Sequence, residues 1–213
     1  MRPLIDTPTM PPTRREQGRV RFAVEPWEIE AARRIRRQVF VVEQKVFEQH
    51  DRDEIDETAL TIIAIQPGPR ALVSNPTITG TVRIHRDPDS SRWYGSRLAV
   101  LQDHRGSAAI AASLIRKAVA SAIAIDCSSF QARIQLRNRR LFERLGWVVR
   151  RELMYEGKPH LFVEADLERF RPDDHLTPLE VRWAKHLGTE QRLMMQAANE
   201  PVDSDWILTG SAS

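Results

Sequence analysis

Residues 97–119 read RLAVLQDHRGSAAIAASLIRKAV, and the junction in the middle of this stretch decides both the fold and the functional reading. RLAVL alternates as a strand, the Arg-Gly pair makes a turn, and a helix of small residues follows at once. The first N–H groups of a helix have no partners inside it, so a helix opening is met by a capping side chain or by an anion. Here Gly106, Ser107, Ala108, Ala109 and Ala111 are all small, and Arg105 stands beside them. Small residues let a ligand approach the backbone, and the helix dipole favours negative charge, so a pyrophosphate is the natural occupant. The bland alternative is propensity alone, because alanine is the best helix former. Local residues leave both open.

Outward from the junction, Ile110, Leu114, Ile115, Ala118, Val119, Ala122 and Ile123 recur at helical spacing and predict one buried stripe. Upstream, RVRFAV (19–24) alternates as a half-exposed strand. EPWEIEAARRIRRQVF opens with a proline suited to a first helical turn and repeats Trp27, Ala31, Ile35 and Val39 every four residues. HDRDEIDE (50–57) is too acidic for a core and reads as a loop. Leu60, Ile62, Ile63 and Ile65 carry a strand, residues 81–86 carry another, and DPDSSRWYGS reads as a turn before the strand at 97–101. Downstream, SFQARIQ reads as a strand, NRRLFERLGW as a short helix stopped near Gly146, and VVRRELMYEGKPHLFVEADL as a hairpin turning at Glu156-Gly157.

This order predicts an α/β (α+β) domain over residues 19–170, a mixed central sheet flanked by helices. Residues 1–18, with four prolines and no apolar period, are expected to be a flexible tail. Residues 171–213 are expected to be a helical extension with a loose end: Thr177, Pro178 and Glu180 form a capping box that opens a helix running to about Ala198.

At 213 residues the chain can bury one sizeable core. A hydrophobic share of 41% with 29% charged residues is that of a soluble globular protein. The net charge of +3 suits an anionic ligand but is too mild to argue nucleic-acid binding. No stretch approaches the roughly 20 apolar residues of a membrane span, and the start of the chain has no signal-type apolar region, so a cytoplasmic protein without membrane contact is expected. The single cysteine, Cys127, excludes an internal disulfide and reads as a small core-edge residue. His85 and His104 lack partners at metal-ligand spacing, and no metal is expected.

RLAVLQDHRGSAAIAASLI resembles the acetyl-CoA-binding motif of the GNAT superfamily of N-acetyltransferases, which runs strand, Arg-rich turn, Gly-x-Gly or Gly-x-Ala, helix. LFERLGW (141–147) resembles that family's second motif. RRQVFVVEQKVF followed by DEIDE resembles a bacterial branch described as nitrogen-starvation N-acetyltransferases. With WYGSRLAV and GKPHL, the likeness runs from about residue 20 to 170. It implies the GNAT fold and an acetyl-CoA co-substrate held by Leu98, Ala99 and Val100, by the turn from Arg105 through Gly106, Ser107, Ala108 and Ala109 to Ala111, and by Gln135 and Phe142 at the second motif. The amine of a small molecule would then attack the acetyl carbonyl directly. Two departures stand out. Ala109 and Ala111 replace the usual glycines, in a turn one residue longer. Phe142 stands where the family often has the tyrosine proposed to protonate the departing thiolate.

Between Ser90 and Gln102 there is no Asp, Glu or His, so a general base must come from elsewhere. His160 in GKPHL, where the resembling family often has histidine, has a ring suited to proton transfer at neutral pH; the alternative is an ordinary surface residue. Glu43, after an apolar helix end, is a second candidate base, or a solvent-facing helix end. Glu54 and Asp56, with Asp53 and Glu57, are candidates to bind a cationic acceptor, and Trp93 either lines the acceptor site or packs a turn. A homodimer is compatible with this reading. Two other functions compete with it. Acyl-homoserine-lactone synthases share the fold and, in part, the pattern Arg36, Phe40 and Glu54-x-Asp56, although Val46 stands where they place a tryptophan. The other is a non-catalytic acyl-CoA sensor.

Overall fold

A computed structural model describes residues 19–66, 77–106 and 108–173. The expected tail, Ser107 and the helix expected from Thr177 lie outside the described residues. Seven strands form one sheet in the order β1-β2-β3-β4-β5-β7-β6: β1 Arg19–Phe22, β2 Leu60–Gln66, β3 Thr77–Arg86, β4 Arg92–Val100, β5 Ser129–Gln135, β6 Trp147–Tyr155 and β7 Lys158–Ala165. Helix α1 (Pro26–Arg37) continues into a π-helical turn at Gln38–Glu43, α2 spans Ala109–Ile123, and α3 spans Arg139–Arg144. All strand pairs are antiparallel except β4–β5, which α2 connects as a parallel crossover.

The sheet separates two cores. On one face Leu114, Ile115, Val119 and Ala122 of α2 pack with Phe142 of α3 against Ile62, Val82, Phe130 and Leu161. On the other, Ala32, Ile35 and Val39 pack against Ile63, Ile78 and Ala99. The buried stripe of α1 is therefore set one residue away from the expected one at Ala31, and Trp27 stands 47% exposed. Glu28 is buried instead, because it closes the helix opening: its carboxylate accepts from Val24 N (2.9 Å), Glu25 N (3.2 Å) and Arg21 Nη1 (3.0 Å).

The turn expected at DPDSSRWYGS is shorter than read, since β4 begins at Arg92. Trp93 pairs with Arg86 and Phe130 and lies 3% exposed in the α2-side core, so it packs there and is not among the residues lining the cavity between β4 and β5. The hairpin turns as read, with Glu156 and Gly157 both at positive φ (48° and 66°), the pairing a two-residue turn between twisted strands requires. Gly146 ends α3 at φ +88°, and a Cβ there would stand 2.8 Å from Arg169 Cδ.

Candidate active site

The site arises from a fault in the sheet. β4 and β5 pair only from Arg92–Ser129 to Gly95–Ala132, although both strands run further. Beyond Gly95 the partners recorded for β4 are on β3 alone. There the register jumps from Arg83↔Ser96 to Thr81↔Ala99, leaving an extra residue on β4 that Arg97 accommodates at φ 55°. A bulge of this kind bends its strand, and β4 leaves β5. A cavity of about 500 Å³ opens in the wedge. It runs from Ile115 on α2 and Phe142 on α3, past Leu98 and Ile134, to Tyr94, Arg133 and His160 on the α1 face of the sheet. The strand edges in the wedge carry backbone groups that an extended ligand's amides can meet.

At the end of β4 the chain turns into α2. Ala108 occupies the cap position with φ −70° and ψ 6°, and no side chain caps the helix. Ala108 and Ala109 are exposed, and a Cβ on Gly106 would meet nothing within 4 Å, so the approach to the helix opening is clear. Arg105 is braced over it: Nε donates to Val100 O at 2.7 Å, and Nη2 to Glu43 Oε2 at 2.6 Å. Glu43 is therefore held by the turn and is not among the residues lining the cavity. Leu98 lines the cavity, whereas Ala99 is buried in the α1-side core and Val100 in the α2-side core. Gln135 donates from Nε2 to Gln44 Oε1 at 2.9 Å, which ties the chain after α1 to the end of β5.

His160 sits on β7 between Gln135 and Leu153, 6% exposed, with Tyr155 packed edge-on at 5.4 Å. Its Nδ1 lies 2.9 Å from Lys158 O. A carbonyl can only accept, so Nδ1 carries the proton and Nε2 of the neutral ring keeps its lone pair. Two groups that sequence reasoning did not place at the site join it. Tyr155 is one. The other is His85 on β3, stacked on Tyr94 at 5.3 Å, with Nδ1 buried and without a hydrogen-bond partner among the described residues. Burial, and then the charge of Arg83, push the His85 ring down to about 4, so it is uncharged at neutral pH. Strand alternation in TVRIHR and ELMY was the available signal for both, but it does not tell which face is left uncovered.

The acidic loop behaves differently from its expected solvated or acceptor-binding role. Residues Glu54–Glu57 form a helical turn, and Asp51 is 4% exposed. Arg36 of α1 donates to Asp51 Oδ2 (2.6 Å) and to both Asp56 oxygens (2.5 and 2.9 Å). Arg83 of β3 holds Asp53, Asp56 and the Ser96 hydroxyl, and Arg97 of β4 holds Asp51 and Asp53 while its guanidinium lies 4.7 Å over the Phe47 ring. Burial alone would raise the Asp56 carboxyl, but the hydrogen bonds and charge of Arg36, with the charge of Arg83, outweigh it and hold it well below the usual carboxylate range. Asp56 is thus occupied within the protein, and Glu54 stands exposed and is not among the residues lining the cavity. Cys127 packs at the core edge, its thiol pushed up to about 11 by burial. Among the described residues no three His, Cys, Asp or Glu side chains converge to hold a metal, and no helix is long and apolar enough to cross a membrane.

The fold is shared with solved structures that differ widely in sequence. ElaA from Escherichia coli is 18% identical with a TM-score of 0.59, over 70% of this chain and 99% of that one. A putative N-acetyltransferase from Lactobacillus plantarum is 19% identical with a TM-score of 0.59, over 70% and 98%. The CoA-dependent acyl-homoserine lactone synthase BjaI, solved with SAM and isopentyl-CoA, is 16% identical with a TM-score of 0.53, over 78% and 82%. No curated protein matches the chain. The family model described as acetyltransferase (GNAT) family matches residues 29–147, more than half of the 213, which takes in α1, the acidic loop, the β4 bulge, the α2 opening and α3, and the chain belongs to that family.

Proposed function

We propose that the protein transfers an acetyl group from acetyl-CoA to the amine of a small molecule by direct attack. The observation that supports this most is the wedge between β4 and β5, whose cavity passes through the sheet from Ile115 of α2 to His160. The pyrophosphate would rest on the first N–H groups of α2 beside Arg105 and Gly106, the pantetheine arm would run along β4 at Leu98 to Val100, and the thioester would reach the α1 face. The amine nitrogen attacks the carbonyl carbon, the tetrahedral intermediate collapses with cleavage of the C–S bond, and CoA leaves as its thiolate. His160 Nε2 takes the proton released by the new ammonium centre. Phe142 has no hydroxyl to give, and a thiol is acidic enough, compared with an alcohol, to leave as its thiolate without a strong acid. With such a donor the reaction is expected in the cytoplasm.

Calorimetry tests the cofactor step. The full chain is expected to bind acetyl-CoA, with CoA competing, and Gly106→Glu to abolish the heat by setting a carboxylate at the phosphate position. Because the space around Gly106 is open, the loss would report charge and not a clash. Absence of heat with the native chain, or an unchanged affinity in the variant, sinks the assignment. Heat without thiol release across a broad amine panel would favour the sensor reading.

A lactone-synthase-like acyl transfer is the second reading. The observation that favours it is that Arg36 and Asp56, two of the positions carrying that resemblance, are hydrogen-bonded to each other behind the cavity lining, where Asp56 also pairs with Arg83. Lactone formation from acyl donors and S-adenosylmethionine decides for it, and its absence decides against.

A further inference from the structure

Cross-strand partners in an antiparallel pair project to the same side of the sheet. Arg151 faces Phe162 across β6–β7, and Phe162 faces Arg133 across β7–β5, so these three make one row. Leu153, His160 and Gln135 make the next row, two residues along, a step of about 7 Å. All six line the cavity. The Arg133 guanidinium lies 4.7 Å from the Tyr155 ring and that of Arg151 lies 5.4 Å from the Phe162 ring. Stacking of this kind orients a guanidinium while leaving its edge N–H donors free. Neither arginine has an ion pair or hydrogen bond among the described residues.

The charge inventory of the wall gives these two arginines their meaning. Asp53 is the only carboxylate among the lining residues, and Arg83 and Arg97 already hold it. Asp51 and Asp56 behind it are taken up by the same cluster. A cationic acceptor would therefore find arginines and no available carboxylate. An anion entering beside His160 would find donors a single side-chain length away. His85 in the same wall is a neutral ring with a buried, unpartnered nitrogen, so it adds no competing charge.

We propose that the acceptor is an anionic amine, one bearing a carboxylate or a phosphate, with Arg133 and Arg151 binding the anionic group while the amine lies at His160. The role of the amine rests on the acyl-transfer reading; the anion site does not.

Calorimetry on the full chain reads the site without turnover. The probes are matched pairs: N-acetyl derivatives of the common amino acids against their carboxamides, and N-acetylphosphoethanolamine against N-acetylethanolamine. The anionic member of a pair is expected to bind about ten-fold more tightly, and the pair that shows it identifies the anion. Arg133→Gln and Arg151→Gln, both at exposed positions, are each expected to weaken the anionic member about five-fold while leaving the neutral member and acetyl-CoA unchanged. No binding of any anionic probe, equal binding within every pair, or no change in both variants overturns the proposal. Thiol release from acetyl-CoA with the corresponding free amines separates the two readings. Anion binding without acetyl-CoA heat or thiol release leaves this site standing and removes the acyl transfer. Thiol release that is fastest with uncharged or cationic amines does the reverse.

Discussion

The α1 face of the sheet has two halves, and their arginines do opposite things. Over β2, β3 and the end of β4, α1 and the acidic loop cover the strands, and Arg36, Arg83 and Arg97 are matched by Asp51, Asp53 and Asp56. Over β5, β7 and β6 the elements named above place no helix on this face, and Arg133 and Arg151 rest on aromatic rings with no carboxylate partner among the described residues. In the first half the charges fasten one segment of the protein to another. In the second they are presented to the cavity. The same residue type is structural where its partner is supplied by the chain and functional where the partner must arrive from outside.

The largest effect that can break this comparison is on stability. Arg36 is 3% exposed, and Arg36→Met leaves Asp51 and Asp56 buried without their main partner. Removing one member of a buried pair costs about 3–5 kcal/mol, which urea denaturation would register as a large fall in midpoint, whereas Arg133→Gln is expected to stay within about 0.5 kcal/mol of the native chain. Comparable losses in the two variants would mean that both halves are structural and that the distinction is wrong.

Next in size is an effect on turnover. His160→Gln keeps the volume of a side chain that is 6% exposed and removes the basic nitrogen. If the open half holds the chemistry, thiol release falls about 100-fold, the scale of a lost general base, with acetyl-CoA affinity unchanged in calorimetry and the limb of the pH–rate profile that reports the base lost. Native-like turnover would leave water as the proton acceptor and take His160 out of the mechanism.

What the sequence disclosed follows from how local each signal is. The β4–α2 junction, the hairpin at Glu156-Gly157 and the stop at Gly146 are legible because period, small residues and turn chemistry lie within a few positions of one another. The start of β4 was hidden because SSRWYGS carries turn-forming residues on a strand that its neighbours β3 and β5 hold in place. HDRDEIDE was hidden for a stronger reason: its partners, Arg36, Arg83 and Arg97, lie 15 to 46 residues away along the chain, and no local pattern can distinguish an acidic segment bound for solvent from one bound for arginines. The alternation of Phe130, Ala132 and Ile134 puts Arg133 on the opposite face of β5, but only the position of α1 over the other half of the sheet reveals that no described helix covers this face. Glu43 shows the converse failure, since an acidic residue at a helix end carries no sign that Arg105, 62 residues on, will hold it.

A smaller effect sits at the border of the two halves. His85 is uncharged in the folded protein down to about pH 4, because burial and Arg83 disfavour its cation. The unfolded chain takes up that proton near pH 6.5, so folding becomes less favourable as pH falls from about 6.5 towards 4, at a rate of at most about 1.4 kcal/mol per pH unit. Asp53 and Asp56, whose carboxyls are held below their usual range, give stability that is present above about pH 4 and lost only as pH falls further. Denaturation midpoints between pH 7.5 and 5.5 therefore carry the histidine's contribution, ahead of Glu28 and Glu164, whose lowered carboxyls enter only nearer pH 4.5. His85→Asn is expected to flatten the slope in that window, and an unchanged slope would move the border charge elsewhere.

The smallest effect concerns how far the cover provided by α1 extends. Trp27 occupies the first turn of that helix, where its spacing with Ala31, Ile35 and Val39 marks it as a core anchor, yet it is 47% exposed and Glu28 takes the buried place instead. The helix opening is closed by Glu28, whose carboxylate accepts the Val24 and Glu25 N–H groups, so the tryptophan is not needed to fix the entry of the chain. Trp27→Lys removes apolar surface that is already half in water and breaks no hydrogen bond recorded for the described residues, which predicts a change within about 0.5 kcal/mol in urea denaturation. A loss several times larger would show that the outer turn of α1 packs against part of the chain beyond residues 19–173, and the covered half of the sheet would then have a second layer above it.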